Sequence, residues 1–296
     1  MSDSETVLVT GASGTVGSAL VRLLADRDVR VRAASRLDRL PDRALGSALG
    51  VQVELRDPGS VAEALVGVDR LFLCTPLEED MVDVAARVVA QACQAGVRQI
   101  VRLSAFGAGT GGKTRLAAIH EKTEECIRRA GVPWVFLRPN AFMQNTVAQF
   151  GHGIRRYGAF RAPQGAGRVS AVDARDVAAV AARVLTQSPF VNASYELTGG
   201  EALSNQDIAA IVGRLLGREI QYVDTEPGET RATLLAQGLS EWLTDIVMEL
   251  YDLSSHGGAA RVSPDVADLL GRAPTSFQDF AADYAADLHP ESTTSK

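Results

Sequence analysis

Three glycines, Gly11, Gly14 and Gly17, stand between the apolar run Val7 to Val9 and a segment with helical spacing, Ser18 to Asp26. The order is strand, tight turn, helix start. A phosphate can approach a backbone only where no Cβ intervenes. The helix N-terminus behind such a turn offers free N–H groups and a partial positive charge. The stretch Gly11-Ala12-Ser13-Gly14-Thr15-Val16-Gly17 therefore outlines a dinucleotide pyrophosphate site, spaced GxxGxxG where the commoner fingerprint is GxGxxG.

The rest of the first half repeats that alternation. Further strands are expected at Val29 to Ala34, Val51 to Leu55, Arg70 to Cys74, Gln99 to Leu103 and Trp134 to Leu137. Helices are expected at Leu37 to Leu49, Ser60 to Val66, Asp80 to Ala95 and Thr114 to Ala130. Strands joined by helical crossovers predict an α/β fold, a Rossmann-like doubly wound parallel sheet with ligands at the strand C-termini. Beyond Arg138 the regularity stops. Helical character is expected in Phe142 to Tyr157, Ala174 to Thr186, Thr230 to Leu253 and Phe277 to Ala286. Strands are expected at Val169 to Val172, Ser194 to Leu197 and Glu219 to Val223, and Ser204 with Asp207 reads as a helix cap. The chain reads as one NAD(P)-binding domain in which residues from about 142 onward contribute a smaller C-terminal substrate lobe.

Composition limits the alternatives. With 46% hydrophobic residues in 296, a large core is affordable and disorder is excluded for most of the chain. The net charge of −6, with Lys and Arg scattered, argues against nucleic acid as a partner. Cys74, Cys93 and Cys126 lack metal-ligand spacing and read as buried free thiols, which suits a cytoplasmic location. No metal is expected. The start of the chain has no leader pattern, and no apolar run is long enough to span a bilayer, so no membrane partner is expected.

With the elements placed, the chain resembles an atypical short-chain dehydrogenase/reductase of the NmrA-like group. The resemblance rests on the glycine turn, on Arg56-Asp57-Pro58 ahead of Ala64 to Asp69, and on Phe136-Leu137-Arg138-Pro139-Asn140-Ala141-Phe142-Met143-Gln144-Asn145. It continues through Asp176-Val177-Ala178 and Tyr195 to Gly200. The end of the second strand chooses the nucleotide. An NAD site keeps a carboxylate there, whereas Ser35 and Arg36 suit a 2′-phosphate, with Arg39 a second candidate, so the expected cofactor is NADP(H). The resemblance further implies that Glu54 and Leu55 meet the adenine, and that Cys74, Thr75 and Pro76 lie on the ribose side. By the same resemblance Leu103 and Ser104 lie at the central cofactor, and Pro139, Asn140, Ala141 and Phe142 at the nicotinamide.

Two features complicate the reading. Gly107 to Thr114 matches the P-loop pattern GxxxxGK[ST], yet no strand ends in the acidic residue that would hold magnesium. It reads instead as a mobile loop beside the nicotinamide end. The family's tyrosine and lysine, four residues apart on one helical face, fall on Leu116 and His120. Leu116 cannot donate a proton. His120 is a candidate weak acid or ribose ligand, or else a solvated side chain paired with Glu124, and Ser104 is a candidate remnant of the family's serine. Two functions stay open. One is an NADPH-dependent reductase of a hydrophobic small-molecule ketone, an aromatic polyketide of the kind tailored in antibiotic biosynthesis, whose own hydroxyl polarises the carbonyl. The other is an NADP(H)-sensing regulator without catalysis. Phe142, Met143, Phe150 and Trp242 are the expected apolar floor of the lobe.

Overall fold

The computed structural model of the chain describes residues 4–36, 46–187 and 190–289. From the N-terminus run β1 (Thr6–Thr10), α1 (Thr15–Ala25), β2 (Arg30–Ser35), β3 (Leu49–Gln52), α2 (Pro58–Leu65), β4 (Arg70–Leu73), α3 (Met81–Gln94), β5 (Gln99–Leu103), α4 (Arg115–Arg129) and β6 (Trp134–Pro139). A π-helical turn, Thr146–Phe150, leads into α5 (Gly151–Tyr157), β7 (Ala159–Ala162), β8 (Arg168–Val169), α6 (Ala174–Thr186) and β9 (Ala193–Leu197). Then follow β10 (Leu203–Ser204), α7 (Asn205–Leu216), β11 (Gln221–Asp224), α8 (Pro227–Ala236), α9 (Glu241–Ser255), α10 (Asp265–Leu270), α11 (Phe277–Asp283) and α12 (Ala285–Leu288).

These elements form two compact units. The first comprises the chain up to Pro139 together with Ala174–Leu197 and Asp268–Gly271. Its sheet is parallel throughout, in the order β3-β2-β1-β4-β5-β6-β9. The order reverses at β1, which pairs with β2 on one side and β4 on the other, and that topological switch point is where a doubly wound sheet opens a crevice. The strands are nearly continuous apolar runs because both faces are covered. On one face Leu8, Leu71, Leu73, Ile100 and Phe136 pack against Val61 and Leu65 of α2, Val88 of α3 and Ile127 of α4. On the other, α1 lies along α6. Helix starts follow local chemistry: Asp57 accepts from Gly59 N–H (2.9 Å) ahead of Pro58, and Thr114 accepts from Ala117 N–H (3.2 Å).

The second unit holds Asn140–Asp173, Thr198–Ala267 and the residues from Arg272 onward. Its core gathers Met143, Ile154, Phe160, Val212, Phe277 and Phe280. β7 pairs in parallel with β11, and β8 antiparallel with β10. The expected cap is present in full: Ser204 Oγ accepts from Asp207 N–H, and the Asp207 carboxylate accepts from Ser204 N–H.

Several expectations need correction. Leu49 and Gly50 belong to β3, not to a helix ending at Leu49, and most of that expected helix, with Arg39, lies outside the described residues. The expected strand Ser194 to Leu197, by contrast, is present as β9 and is the seventh strand of the main sheet. The three cysteines are free but half-buried rather than buried.

The glycines of the opening turn differ in what they do. Gly11 has φ +66°, a left-handed conformation that side chains disfavour. A Cβ on Gly17 would fall 2.1 Å from the Gly11 carbonyl oxygen, whereas one on Gly14 would sit 3.2 Å from the same atom. Gly17→Ala should therefore cost about 1–3 kcal/mol or more in urea unfolding, with Gly14→Ala giving the smaller loss.

Candidate functional site

The C-terminal ends of β1, β2 and β4 enclose a cleft of about 240 Å³ in the first unit. It is lined by Gly11, Ser13 and Gly14 from the turn, Ser35 and Arg36 from the end of β2, Glu54 and Leu55 after β3, and Cys74, Thr75 and Pro76 after β4. Thr15, Val16 and Gly17 form the first turn of α1, where Gly14 is the N-cap and no side chain caps the helix. Their N–H groups have no earlier acceptor within the helix and remain available to an anion. Arg36 is exposed, and among the described residues no partner meets its guanidinium. Leu103 ends β5 and Pro139 ends β6, and neither lines the cleft, while Asn140, Ala141 and Phe142 belong to the second unit.

Two interior ties hold the strand ends. Thr10 Oγ1 accepts from Cys74 N–H at 2.8 Å and lies 2.8 Å from the Cys74 carbonyl and 3.1 Å from that of Phe72. Arg102, only 1% exposed, donates from Nη1 to the Leu73 carbonyl and from Nη2 to Thr75 Oγ1, both at 2.9 Å. Its Nε has no acceptor, and burial pushes its pKa down to about 10. Burial likewise raises the Cys74 thiol, with Arg102 opposing, so this cleft-wall cysteine stays protonated. Arg56, at the rim, was not expected there. It grips Asp80 with two contacts of 2.8 Å and also bonds Glu78; those bonds raise its pKa and depress that of Asp80.

Of the expected proton-donor positions, only Ser104 is engaged in a hydrogen-bonded cluster. Ser104 Oγ donates to Glu124 Oε1 at 2.6 Å. Glu124 is fully buried and also accepts from Arg138 Nε (2.8 Å), Arg138 Nη2 (2.5 Å) and Arg128 Nη2 (2.9 Å). Burial works against the charge on Arg138, and its hydrogen bonds to Glu124 together with the charges of Glu124, Glu196 and Glu121 outweigh it, leaving its pKa raised. His120 is not the solvated partner of Glu124: its Nδ1 is buried without a hydrogen bond. Burial first, and the Arg102 charge second, hold its pKa well below the ordinary 6.5, so the imidazole is neutral. Leu116 is a half-buried residue in the first turn of α4.

The glycine-rich segment after β5 is not shaped for a triphosphate. Thr114 caps α4, Lys113 is exposed, and Ala108 is fully buried. Gly109, at φ +78°, rests on the Arg138 guanidinium, where a Cβ would fall 2.5 Å from Nη2. The first half of this loop thus packs against Arg138.

The second unit contains a separate cavity of about 190 Å³. Phe142, Met143 and Phe150 line it as expected, but Trp242 does not; Val247, Leu250 and Tyr251 of the same helix line it instead. The π-helical turn brings Thr146, Gln149 and Phe150 to one wall. Asn140 serves structure here, donating to Ser170 Oγ (3.0 Å) and the Ala259 carbonyl (2.9 Å).

A parallel sheet reversing at β1, with a glycine turn and a helix N-terminus at the switch point, defines a Rossmann-like nucleotide-binding protein. Residues 3–281 match the NmrA-like family, and the chain belongs to it. It is 34% identical over 284 residues to an NAD(P)H azoreductase of Xenophilus azovorans, covering 95% of this chain and 98% of that one. It is 35% identical over 288 residues to the (4-alkanoyl-5-oxo-2,5-dihydrofuran-3-yl)methyl phosphate reductase of Streptomyces griseus subsp. griseus, covering 96% and 100%. Among solved structures, the triphenylmethane reductase of Citrobacter sp. complexed with NADP(H) superposes with a TM-score of 0.84 at 26% identity, covering 94% of this chain and 99% of that one.

Two outcomes follow for the buried groups. Removing the carboxylate in Glu124→Ala leaves Arg138 unpaired in the interior and should cost about 3–5 kcal/mol by denaturant unfolding. For His120 the unfolded chain takes up a proton near pH 6.5 while the folded chain does not. The unfolded state thus binds more protons in acid, and stability falls as the pH drops through that value. Unfolding midpoints measured from about pH 7 to pH 5 should fall less steeply in His120→Gln than in the parent.

Proposed function

We propose that the chain is an NADPH-dependent reductase of a hydrophobic, conjugated small molecule whose own structure stabilises the charge left after hydride addition. The observation that carries this reading is the state of the donor positions. Leu116 is aliphatic, His120 is held neutral, and the Ser104 hydroxyl spends its hydrogen bond on Glu124. Loss of a general acid costs ~10²–10⁴ in rate, and a donor held within the substrate at high effective molarity offsets it. An azo group, an acyl-substituted dihydrofuranone and a triphenylmethane dye, the compounds named for the relatives, share a conjugated acceptor.

NADPH, when bound, supplies the hydride. The Gly11 to Gly17 turn and the first N–H groups of α1 suit its pyrophosphate, and Arg36 beside Ser35, without a partner among the described residues, suits a 2′-phosphate. The cavity around Phe142, Met143 and Phe150 suits the body of a flat apolar substrate. The particular substrate proposed is an aromatic polyketide ketone of the angucyclinone kind with a phenol beside the carbonyl. That phenol hydrogen-bonds the carbonyl oxygen, passes its proton to the alkoxide as the C–H bond forms, and is reprotonated from water.

The test is NADPH consumption with 8-hydroxy-1-tetralone and with its 8-methoxy ether. Turnover of the phenol alone is expected, and equal turnover of the ether overturns substrate assistance. Redox-selective NADPH binding with no turnover of any ketone, quinone or azo acceptor would return the chain to the sensor reading. For the cofactor, Arg36→Ala should weaken NADPH binding about tenfold or more and leave NADH little changed. Equal effects on both would make Arg36 an ordinary surface residue.

A further inference from the structure

We propose that Tyr251 and Asn205 form the polar end of the second unit's cavity and fix the orientation of an aromatic ligand through its carbonyl oxygen. Phe142, Met143, Phe150, Ile208, Leu250 and Phe277 supply apolar wall, and polar side chains, Thr146, Gln149 and Glu201 among them, interrupt it. In such a setting a polar side chain is conspicuous when nothing in the protein uses it, because buried polar groups are nearly always paired.

Asn205 meets that description in full, and the half-buried Tyr251 stands beside it with its phenol open to the cavity. Asn205 is 4% exposed, and its Nδ2 has no hydrogen-bond partner. Helix capping does not require it, since Ser204 and Asp207 complete the box at the start of α7. The Asn205 amide leans on the Tyr222 phenol as a hydrogen-bond donor would and favours its ionised form, but Nδ2 makes no bond of full geometry there. Tyr222 is already supplied: its oxygen lies 2.8 Å from the Ala162 carbonyl and 2.9 Å from Asp224 Oδ1, and accepts from Gln164 N–H at 3.3 Å. Tyr251, on α9, lines the same cavity and has no hydrogen bond among the described residues. Burial, and then the neighbouring Tyr222, push its phenol pKa up, so it keeps its proton. The buried Asn205 amide costs free energy until a partner meets it, and the Tyr251 phenol on the same cavity is placed to bond the same partner.

Their chemistry specifies the ligand. A protonated phenol donates, so Tyr251 selects an acceptor oxygen. An amide carries a donor and an acceptor, so Asn205 takes the same oxygen or a hydroxyl beside it. A flat conjugated ketone, with or without an adjacent phenol, satisfies both, whereas a bare hydrocarbon of the same shape satisfies neither. The inference rests on the reading above that this cavity receives the substrate, and it assigns Tyr251 and Asn205 to specificity rather than to proton transfer.

The experiment measures equilibrium binding of 1-tetralone and of tetralin, its ring-matched hydrocarbon, to the full chain and to Tyr251→Phe and Asn205→Leu. The parent should prefer the ketone about tenfold or more, and each variant should lose about three- to tenfold of that preference. NADPH affinity and thermal midpoint serve as fold checks and should hold in the near-isosteric Tyr251→Phe. With 8-hydroxy-1-tetralone as substrate, Tyr251→Phe should raise KM and leave kcat nearly unchanged. An unaltered ketone preference in Tyr251→Phe overturns the proposal even if the ketone is turned over. A fall in kcat at unchanged ketone affinity also overturns it, by making the phenol a proton donor. A ketone preference that depends on both residues, without turnover of any acceptor, would sustain the anchor while the reductase reading fails. Binding of neither probe would overturn the anchor as well as the cavity's role as a substrate site.

Discussion

The first unit depends on a steric constraint at the start of α1. The helix begins so close to the end of β1 that Gly17 faces the Gly11 carbonyl with no room for a methyl group. That approach lets backbone N–H groups, rather than side chains, form the floor of the cleft. The neighbouring strand ends are then tied to it from inside, β4 by the Thr10 hydroxyl and β5 by the Arg102 guanidinium through Leu73 and Thr75. The cleft draws on residues after four strands, and the wall after β4 is fixed because two buried polar side chains hold Leu73, Cys74 and Thr75 from behind.

The parallel sheet was readable because strands buried on both faces carry uninterrupted apolar runs and their crossover helices carry caps and glycine stops. The Ser204 cap was readable for the same reason, since its partner lies three residues away. β3 and β7 were harder. β3 is mostly exposed, so its residues, Leu49 to Gln52, lack the alternation that marks a strand, and β7 is a short run after a helix that ends in Gly158. Trp242 and Leu250 share a helix, and from sequence the tryptophan is the more conspicuous apolar residue. Which face of an amphipathic helix turns inward is set by packing, and here Val247, Leu250 and Tyr251 face the cavity.

Site chemistry was legible where a motif is contiguous and illegible where it is assembled across the fold. Gly11 to Gly17 and Ser35-Arg36 could be read directly. The cluster of Ser104, Glu124, Arg128 and Arg138 draws on β6, α4 and the residue after β5, and no spacing rule connects them. Its consequence is considerable: a hydroxyl that resembles a catalytic remnant is a donor to a buried carboxylate. Likewise, α4 looked as though it exposed His120 to Glu124, and only the burial of that ring beside Arg102 explains its neutral state. Tyr251 and Asn205 lay hidden because nothing in their neighbouring residues distinguishes an idle polar group from a satisfied one.

The interleaving of the two units bears on how the chain is made. The first unit lacks α6 and β9 until residues 174–197 have emerged, and by then the segment 140–173 of the second unit has already left the ribosome. β9 completes the sheet by pairing with β6, more than fifty residues earlier in the chain. Neither unit can finish before the other has begun, so nascent chains carry an unpaired β6 edge while residues 140–192 are made. An exposed parallel edge is a template for wrong partners and must wait on slow, non-local pairing. The same chain crossing that places Pro139 and Asn140 in different units thus makes production of this protein a question of timing as much as of stability.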